Sequence, residues 1–520
     1  MPRFPSLVAA LLTPVLVAAA VGAPAPASAA TGAITDVAAA GVAADVDTGA
    51  LRAAISLDGV TRHARALQRI ASANGNTRAS GTPGYDASAA YVKKALTDAG
   101  YQVSEQTFTF PYYRELAPAT LAQTSPSPIT YQTLTMEFSE SGDVTGRVAP
   151  TNDILVPPGA EPNSSTSGCQ PEDFAPAGAA PQIALIQRGG CSYAEKVANA
   201  EAAGYDAVVI FNEGQPGRQA LVPGSLFAPA GVPVVLLSYA DGAALNAAAQ
   251  AGPTELRVVT RTEMRPEAVT SNIIADSPGG DPGNVLVVGA HLDSVTGGPG
   301  VNDNGSGVAA LVEIARQMAT LKITPRQKVR FAFWGAEEFG SLGSQHYVDN
   351  LTDAQLGAIA ANLNFDMIGS PNFVRFVYDG DGSDFGVPGP EGSGELERVF
   401  TSYFGARNLP VAPTVFDFRS DYVPFFDAGI PTGGLFSGAE GIKTAAEAKL
   451  FGGVAGQPYD PCYHKACDTI TNVNNKVILE LTHGAAHAVL TTALSEDLAP
   501  AQGRRAPARG ADRPLRPTEG

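Results

Sequence analysis

Six side chains able to bind a metal ion or move a proton are spread over the second half of the chain. They are two histidines and four carboxylates, namely His291, Asp303, Glu337, Glu338, Asp366 and His464. Imidazole and carboxylate groups are ligands that suit Zn²⁺, and no thiolate is among them. Two zinc ions, three carboxylate ligands and a bridging hydroxide sum to zero charge, whereas the carboxylates alone would repel one another. The residue types therefore predict a two-zinc site.

The strands that must position these residues are recognisable in the sequence. Val285–Ala290, Val329–Trp334 and Leu363–Met367 are apolar segments typical of strands, and the first is the continuous kind that is buried on both faces. His291 follows the first strand, the Glu337–Glu338 pair follows the second, and the third contains the aspartate. Ligands in open α/β sheets bind at the carboxyl ends of strands. We therefore expect these side chains to converge at one edge of a sheet.

Each of these residues also has an ordinary structural explanation when it is taken alone. A single histidine after a strand is usually a satisfied core or surface residue. Asp303, just before a predicted helix, could be its N-cap, and Glu337–Glu338 could be a solvated loop pair. Adjacent residues in an extended segment point to opposite sides, so one glutamate can bind metal while its neighbour faces substrate. Taken together at successive strand ends, the residues favour a catalytic centre.

The N-terminus indicates export. Arg3 is followed by the apolar run Leu7–Val21 and by Ala27-Ser28-Ala29, which is the pattern of a signal peptide with a small-residue cleavage site. The alternative, a membrane anchor, is disfavoured because the run is short and Pro14 interrupts it. We therefore expect a secreted, extracellular protein that makes no membrane contact after signal cleavage.

The four cysteines form two pairs along the chain, Cys169 with Cys191 and Cys462 with Cys467. An even, sparse set in an exported chain predicts disulfide bonds. Four reduced, buried thiols are the alternative if the protein is not exported. Zinc binding by the cysteines is disfavoured because the chain contains no Cys-x-x-Cys.

The charge balance argues against one class of partner. Lys plus Arg (34) minus Asp plus Glu (51) gives a net charge of −17. That excess repels phosphate backbones and anionic membrane surfaces, so we expect no nucleic-acid binding. The hydrophobic fraction of 44% allows a sizeable core.

Composition and periodicity divide the chain into blocks. Helical patterns are predicted over Val60–Ala71, Ala87–Ala99 and Lys476–Leu494, and a smaller β/α unit lies between the second of these and the metal-binding segments. A stretch rich in Pro, Gly and Ser begins near residue 131 and marks the start of that unit. The predicted division is a signal peptide at 1–29, a linker or propeptide at 30–50, the first part of the main domain at 51–130, the smaller domain at 131–255, the rest of the main domain at 256–498 and a disordered basic tail at 499–520.

In its motifs the chain resembles the co-catalytic di-zinc aminopeptidases of the secreted bacterial leucine-aminopeptidase type. The resemblance runs through residues 270–495 and extends to the helices at 55–110, with the motifs in order and at family-like spacing. The matching stretches are Gly289-Ala-His-Leu-Asp-Ser294, Asn302-Asp-Asn-Gly-Ser-Gly307, Trp334-Gly-Ala-Glu-Glu338, Asn364-Phe-Asp-Met-Ile-Gly369, Arg419-Ser-Asp421 and Cys462-Tyr-His464. The block between, with Gln187-Arg-Gly-Gly-Cys-Ser-Tyr-Ala-Glu-Lys196 and Val209-Ile-Phe-Asn-Glu213, resembles a protease-associated (PA) domain.

The resemblance implies a role for each site residue. For the metal ligands these roles are His291 and Asp366 on one zinc, Glu338 and His464 on the other, and Asp303 as the bridge. For the remaining residues they are Glu337 as general base and acid, Tyr463 as hydrogen-bond donor to the oxyanion, Arg419 as part of the substrate pocket and Asp293 as the group that orients His291. Relatives also place a cis peptide bond directly after the bridging aspartate.

The resemblance further implies a fold and an activity. The fold is α/β, the zinc-peptidase fold, with a mixed, mostly parallel central sheet sandwiched by helices and a smaller inserted PA domain. The activity is hydrolysis of the N-terminal peptide bond of peptides and proteins with free N-termini, by an enzyme that holds two Zn²⁺ and prefers large hydrophobic first residues such as Leu. The resemblance does not extend to the oligomeric state, for which a monomer is our expectation. The alternatives are a metallo-carboxypeptidase or cyclase on the same fold and a metal-free, receptor-like binding protein. The last is disfavoured because every expected ligand is present.

Overall fold

The computed structural model describes residues 47–496. The predicted signal peptide, residues 30–46 of the predicted linker and the predicted basic tail at 499–520 lie outside the described residues. Residues 49 and 50, which the linker prediction includes, already belong to a helix that begins at Gly49.

Helices alternate with strands along the part of the chain that the structure describes. The helices are α1 Gly49–Ala54, α2 Leu57–Ala73, α3 Pro83–Asp98, α4 Tyr193–Ala202, α5 Tyr239–Ala251, α6 Gly305–Thr320, α7 Leu342–Asp349, α8 Asp353–Ala358, α9 Ser393–Gly405, α10 Val423–Asp427, α11 Ala445–Phe451 and α12 Asn475–Leu494. The strands are β1 Gln102–Ser125, β2 Ile129–Tyr131, β3 Leu134–Thr135, β4 Gly142–Pro150, β5 Gln182–Gln187, β6 Ala207–Phe211, β7 Val234–Leu237, β8 Glu255–Asp276, β9 Asp281–His291, β10 Gln327–Trp334, β11 Ile359–Phe365, β12 Phe376–Tyr378, β13 Ala412–Thr414 and β14 Thr432–Phe436. A short 3₁₀ helix covers Pro171–Asp173.

Local capping explains where the helices that support the site begin. The Ser56 side chain accepts a hydrogen bond from the first turn of α2, and Asn304 does the same for α6. The predicted helix at 87–99 begins earlier, at Pro83, because proline at the first helical position has no N–H left unsatisfied and Thr82 caps the turn. The sequence pattern therefore identifies these helices, and the caps define their ends.

The central sheet has the predicted mixed, mostly parallel order. Its strands run β13-β12-β14-β11-β9-β10-β8, and β14, β11, β9 and β10 are mutually parallel. Strand β8 is antiparallel to β10 and closes this half of the sheet. The α/β fold class predicted from the sequence is confirmed.

Both faces of the central sheet are covered by helices, as predicted. Along β9 the side chains alternate between two hydrophobic clusters, so Leu286 and Val288 pack against α2, α3, α6 and α12 while Val285 and Val287 pack toward α7, α8 and α10. Helix α12 is long and apolar enough to cross a membrane by length and composition alone. Because 67% of its most apolar window is buried, it is a core helix of this domain.

The inserted unit is a second, smaller α/β layer. Strands β4, β5, β6 and β7 are parallel, and β3 adds an antiparallel edge. Separate hydrophobic clusters cover the two faces, one packed under α4 and the other under α5. The strands predicted at 183–186, 207–211 and 232–237 correspond to β5, β6 and β7.

A long two-stranded ribbon joins the two layers. Strands β1 and β8 have 24 and 22 residues and pair antiparallel from Gln102 with Asp276 to Ser125 with Glu255. The strand predicted over 101–110 is therefore too short. Pro111 and Pro118 would normally stop a ladder, but the register shifts beside each of them, and such irregularities accommodate proline.

Candidate active site

The predicted site residues converge at the carboxyl edge of the central sheet. His291 is the last residue of β9, and Asp366 directly follows β11. Glu337 and Glu338 follow β10 after a short turn. Because β9, β10 and β11 are adjacent and parallel, their carboxyl ends meet at one edge. Asp303, from the loop before α6, completes the group on that edge.

Asp303 lies between the two histidines. Its Oδ1 is 3.2 Å from Nε2 of His291, and its Oδ2 is 3.3 Å from Nε2 of His464. The two carboxylate oxygens therefore face two different imidazoles. This is the arrangement that a shared ligand between two metal ions requires.

A second carboxylate accompanies each histidine. The Asp366 Oδ1 atom lies 3.2 Å from Nε2 of His291, and the Glu338 Oε2 atom lies 3.1 Å from Nε2 of His464. Ligand atoms of His291, Asp303 and Glu338 also lie within 4.8 Å of one another. The structure thus brings together all five predicted ligands in the predicted pairs.

These separations fit zinc. Two ligand atoms at about 2.0–2.1 Å from a tetrahedral Zn²⁺ are roughly 3.3 Å apart, which matches the nitrogen–oxygen distances in both groups. In addition, Oε1 of Glu338 is buried and has no hydrogen-bond partner within residues 47–496, which is costly unless a cation binds the carboxylate. The donor set of imidazole nitrogen and carboxylate oxygen is also the set that zinc accepts.

The electrostatics of the site also favour cations. Burial lowers the pKa of the His291 imidazole, but the surrounding carboxylates, Asp366 first and then Glu337, Asp293 and Asp303, together raise this pKa well above its usual value. The pKa of His464 is raised well above its usual value in the same way, with Glu338 as the largest opposing influence to burial. Burial raises the pKa of Glu338 to about 7. Without a metal the site compensates its carboxylates with protons, and divalent cations would replace those protons.

Glu337 is placed as a base beside the metal ligands. Its Oε2 lies 3.8 Å from Nε2 of His291, and its Oε1 accepts a hydrogen bond of 3.3 Å from the Ser341 hydroxyl. Burial raises the pKa of this carboxyl well above its usual value, and Asp421 and Asp366 add to the shift. Glu337 and Glu338 thus face different histidines, as predicted. The predicted reason was wrong, because the two residues lie in a turn closed by the Gly340 N–H on the Glu337 carbonyl and not in an extended segment.

Asp293 connects the histidine and the base. Its Oδ1 lies 3.6 Å from Nδ1 of His291, just beyond hydrogen-bond distance, and accepts a hydrogen bond of 3.2 Å from the backbone N–H of Glu337. The residue is fully buried. Asp293 therefore stands where it was predicted, and it also holds the loop that carries Glu337.

Arg419 and Tyr463 contact each other at the open side of the site. The Arg419 guanidinium donates to the Tyr463 hydroxyl at 3.1 Å and to Glu440 at 2.7 Å. Burial raises the pKa of Tyr463 well above its usual value, so the phenol stays protonated and remains a donor. Glu440 had no signal in the sequence because its partner Arg419 lies 21 residues away in a different loop.

Ser420 orients one ligand that the sequence analysis did not connect to it. Its hydroxyl donates to Oδ2 of Asp366 at 2.7 Å and accepts from the Asn364 amide at 2.8 Å. The other oxygen of Asp366 is thereby left to face His291. The motif Arg419-Ser-Asp421 was the available signal, but nothing in the sequence showed which residue the serine would hold.

Replacing Ser420 with Ala should weaken metal binding. Loss of a hydrogen bond that orients a metal ligand typically lowers metal affinity or activity by about 10–100-fold. Zinc affinity is measured by competition with a chelator. Ser393→Ala is the matched control, because Ser393 is also fully buried and its hydroxyl accepts from the Thr432 N–H away from the site. An unchanged zinc affinity in Ser420→Ala would show that Asp366 does not need this partner.

A buried acidic pair holds the Asp303 loop from one side. The Asp468 carboxylate accepts hydrogen bonds from the backbone N–H groups of Asn302 and Asp303 at 2.9–3.1 Å. The Asn302 amide in turn donates to Asp460 at 2.6 Å. The peptide bond between Asp303 and Asn304 is cis, as the resemblance implied. Sequence reasoning missed Asp460 and Asp468, since these contacts reach across about 160 residues of chain, to the Asn302 side chain for Asp460 and to backbone N–H groups for Asp468.

Both predicted disulfide bonds are present. Cys169 is bonded to Cys191 in the smaller layer, and Cys462 is bonded to Cys467 around Tyr463 and His464. Asp460, just before the second disulfide, accepts from the Cys462 N–H at 2.8 Å. The loop that carries a predicted ligand and a predicted catalytic residue is therefore fixed at both ends.

Removing the second disulfide should lower activity more than stability. Loop-closure entropy predicts about 2 kcal/mol for its ring and about 3 kcal/mol for the larger ring of the first disulfide. We expect Cys462→Ser with Cys467→Ser to lower kcat/KM about tenfold or more, since it frees a metal ligand. The control, Cys169→Ser with Cys191→Ser, should lower Tm more and kcat/KM less. Kinetics and thermal denaturation of both variants test this, and equal losses in both would contradict it.

Comparison with known families matches two regions of the chain. The model described as "Peptidase family M28" matches residues 272–489, and the model described as "PA domain" matches residues 144–245. The first region contains all five predicted ligands, and the second lies within the block predicted to be an insertion.

Individual relatives cover most of the chain. An aminopeptidase of Pseudomonas aeruginosa is 48% identical over 446 residues, which are 84% of this chain and 80% of that protein. Leucine aminopeptidase 2 of Arthroderma otae is 43% identical over 336 residues, which are 63% of this chain and 65% of that protein. Among solved structures, the aminopeptidase from Aneurinibacillus sp. strain AM-1 superposes with a TM-score of 0.67 at 23% identity and covers 87% of this chain and 98% of its own, which supports the fold.

Proposed function

Since this chain belongs to peptidase family M28 and is a zinc-dependent aminopeptidase, we propose that it works with two zinc ions held by the five converging residues. The proposed ligands are His291 and Asp366 for one ion, Glu338 and His464 for the other, and Asp303 for both. The observation that carries this proposal is the position of Asp303, whose two oxygens face two different histidines at 3.2 and 3.3 Å.

The chain's own residues divide the remaining work. Zinc bound at such a site lowers the pKa of a water molecule toward neutrality and polarises a carbonyl group. Glu337, buried beside the ligands, would accept the proton of the attacking water and pass it to the leaving amine. The Tyr463 hydroxyl, held by Arg419, would donate a hydrogen bond to the developing oxyanion. Asp293 would hold the Glu337 loop through the Glu337 backbone N–H and would orient His291, whose Nδ1 lies 3.6 Å from its carboxylate.

The substrates are peptides, and we propose a specific preference among them. Carboxylates of Glu337 and Asp366 beside the zinc would bind a free α-amine, which restricts cleavage to N-terminal residues. A preference for large hydrophobic first residues, Leu above all, is supported by the name of the Arthroderma otae relative. The alternatives of carboxypeptidase, cyclase or metal-free binding protein find no support in these relatives, and the ligand set is complete.

Location and assembly are part of the same proposal. Two disulfide bonds and the signal-like N-terminus support a secreted, extracellular enzyme. We propose that it acts as a monomer and binds neither nucleic acid nor membrane. The domain division predicted above is proposed unchanged, except that the helix beginning at Gly49 belongs to the peptidase domain.

Metal counting combined with blocked and free substrates tests this function. We expect two zinc ions per chain, turnover of Leu-p-nitroanilide and no turnover of its N-acetylated form. His464→Ala should retain the other zinc and lose activity. Turnover of the acetylated substrate alone would reject the N-terminal specificity, and a purified active enzyme with one zinc would reject the shared role of Asp303.

A further inference from the structure

A fully buried arginine lies behind the proposed metal centre and forms no ion pair with any carboxylate among the residues that the structure describes. Arg78, between α2 and α3, has no exposed surface. Its guanidinium donates to main-chain carbonyls at Pro299 (2.9 Å), Gly300 (2.6 Å) and Leu292. Buried arginine is rare and normally pairs with an acid. A buried guanidinium whose side-chain hydrogen bonds all go to main-chain carbonyls therefore indicates a specific structural role.

The acceptors of Arg78 lie at both ends of the loop between two ligands. Leu292 directly follows His291, and Gly300 precedes Asp303 by three residues. The Gly300 carbonyl also accepts from the Gly305 N–H at 3.0 Å, at the start of α6. One rigid side chain thus ties the end of β9 to the loop that carries Asp303.

The Asp303 loop has little room to move against this arginine. A Cβ atom at Gly300 would lie 2.3 Å from the Asp303 carbonyl oxygen and 3.1 Å from a guanidinium nitrogen of Arg78. Gly300 has a φ of +58°, which an L side chain rarely adopts. On the opposite side Asp468 accepts the N–H groups of the same loop. Arg78 and Asp468 therefore hold this loop between them.

The residues beside Arg78 reach the other parts of the centre. The Thr77 hydroxyl donates to the Val295 carbonyl at 2.9 Å. The Ser80 hydroxyl accepts from the backbone N–H of Ala336 at 2.7 Å, directly before Glu337 and Glu338. The segment 77–80 therefore contacts the loops that carry four of the predicted site residues.

We propose that Arg78 is a positioning residue that sets the separation of His291 and Asp303 and thereby the zinc affinity of the centre. The proposal rests on the ligand assignment given under the proposed function. A lysine at this position would keep the charge but not the planar fork that reaches three carbonyls at once. We therefore expect the charge-conserving substitution to fail at the metal centre.

Arg78→Lys and Arg375→Lys provide a matched test. Arg375 is also buried, at 3% exposure of its side chain, and bonds to Glu480 and the Pro410 carbonyl rather than to the site's loops. We expect Arg78→Lys to lower zinc affinity, measured by chelator competition, by about tenfold or more, as loss of a ligand-orienting partner does. We expect Arg78→Lys and Arg375→Lys to lower the Tm of the metal-free protein by similar amounts. Arg375→Lys should leave zinc affinity within about twofold of wild type.

The outcomes separate the two proposals. If Arg78→Lys binds zinc as tightly as Arg375→Lys does, Arg78 is structural only and the positioning role is rejected, while the function stands. If replacing Asp303 does not change the amount of zinc that the enzyme binds, the ligand assignment in the proposed function is rejected, whatever the result for Arg78→Lys. Should Arg78→Lys not fold, Thr77→Val removes two hydrogen bonds from the same segment, one to the Val295 carbonyl and one from the Ala79 N–H, and an unchanged zinc affinity in that variant rejects the role.

Discussion

Glu337→Gln lowers kcat by about 10²–10⁴-fold and leaves zinc bound, because positioned general bases contribute that much and this residue is not a proposed ligand. Glutamine has the shape of glutamate but cannot accept the proton of the attacking water. The Ser341 hydroxyl and the Glu337 backbone N–H keep their partners in this variant, so the loop should hold its position. Steady-state kinetics and elemental analysis of the same preparation measure the two quantities.

Glu313→Gln is the control for Glu337→Gln. Glu313 is also buried, at 1% exposure, but its carboxylate bonds to His63 and Gln317 outside the site. This control should lose stability and keep kcat. If Glu337→Gln retains kcat within about tenfold of wild type, another group moves the proton and Glu337 loses its assigned role.

Asp303→Ala removes zinc as well as activity. Each of its two carboxylate oxygens faces one histidine and would bind the ion beside that histidine. Its loss therefore leaves both proposed ions one ligand short. Loss of an outer hydrogen-bonding partner already costs about 10–100-fold, and loss of a shared ligand should cost more than the upper end of that range. Zinc per chain and kcat/KM are measured after equilibration at a fixed free zinc concentration.

Asp173→Ala is the control for Asp303→Ala. Asp173 is also buried and accepts a backbone N–H from Gln170 in the smaller layer, outside the predicted ligand set. It should lose stability and keep its zinc. A normal zinc content in Asp303→Ala would contradict a bridging role, and loss of a single ion would assign Asp303 to one histidine alone.

Four of the site residues could be predicted from the sequence because both their residue type and their position at the end of a predicted strand indicate a metal site. His291 and Asp366 are polar residues at the ends of apolar strands, and parallel strand ends must meet at one edge. Glu337 and Glu338 follow a strand in the same way. Residue chemistry and strand periodicity were therefore sufficient for these four residues. Asp303 and His464 lie in loops and not at strand ends, and the division of the ligands between two ions came from the family resemblance.

The residues that hold the centre could not be predicted in this way. Arg78 and Asp468 bond mainly to main-chain groups, which every residue has, so their partners leave no mark on the sequence. Their contacts also span 165 residues or more. Only the three-dimensional course of the loop brings these groups within hydrogen-bond distance.

The long ribbon was also missed, for a physical reason. The predicted strand ended at Phe110 because Pro111 follows it, and proline normally ends a ladder. In the structure β1 continues to Ser125 because it pairs with β8 throughout and shifts register at the prolines. An exposed antiparallel ribbon needs neither strong periodicity nor a continuous apolar face, so local patterns understate its length.

The same ribbon limits how the enzyme can be recombined with its relatives. A module attached by two flexible tethers can be exchanged by cutting the tethers, but here the strands run unbroken from one layer into the other. A chimaera with a foreign insert must therefore join both strands at matched rungs, since a slip of one residue would turn every following side chain to the opposite face. The irregular steps near Glu115 and Ala117 are the junctions most tolerant of such a graft.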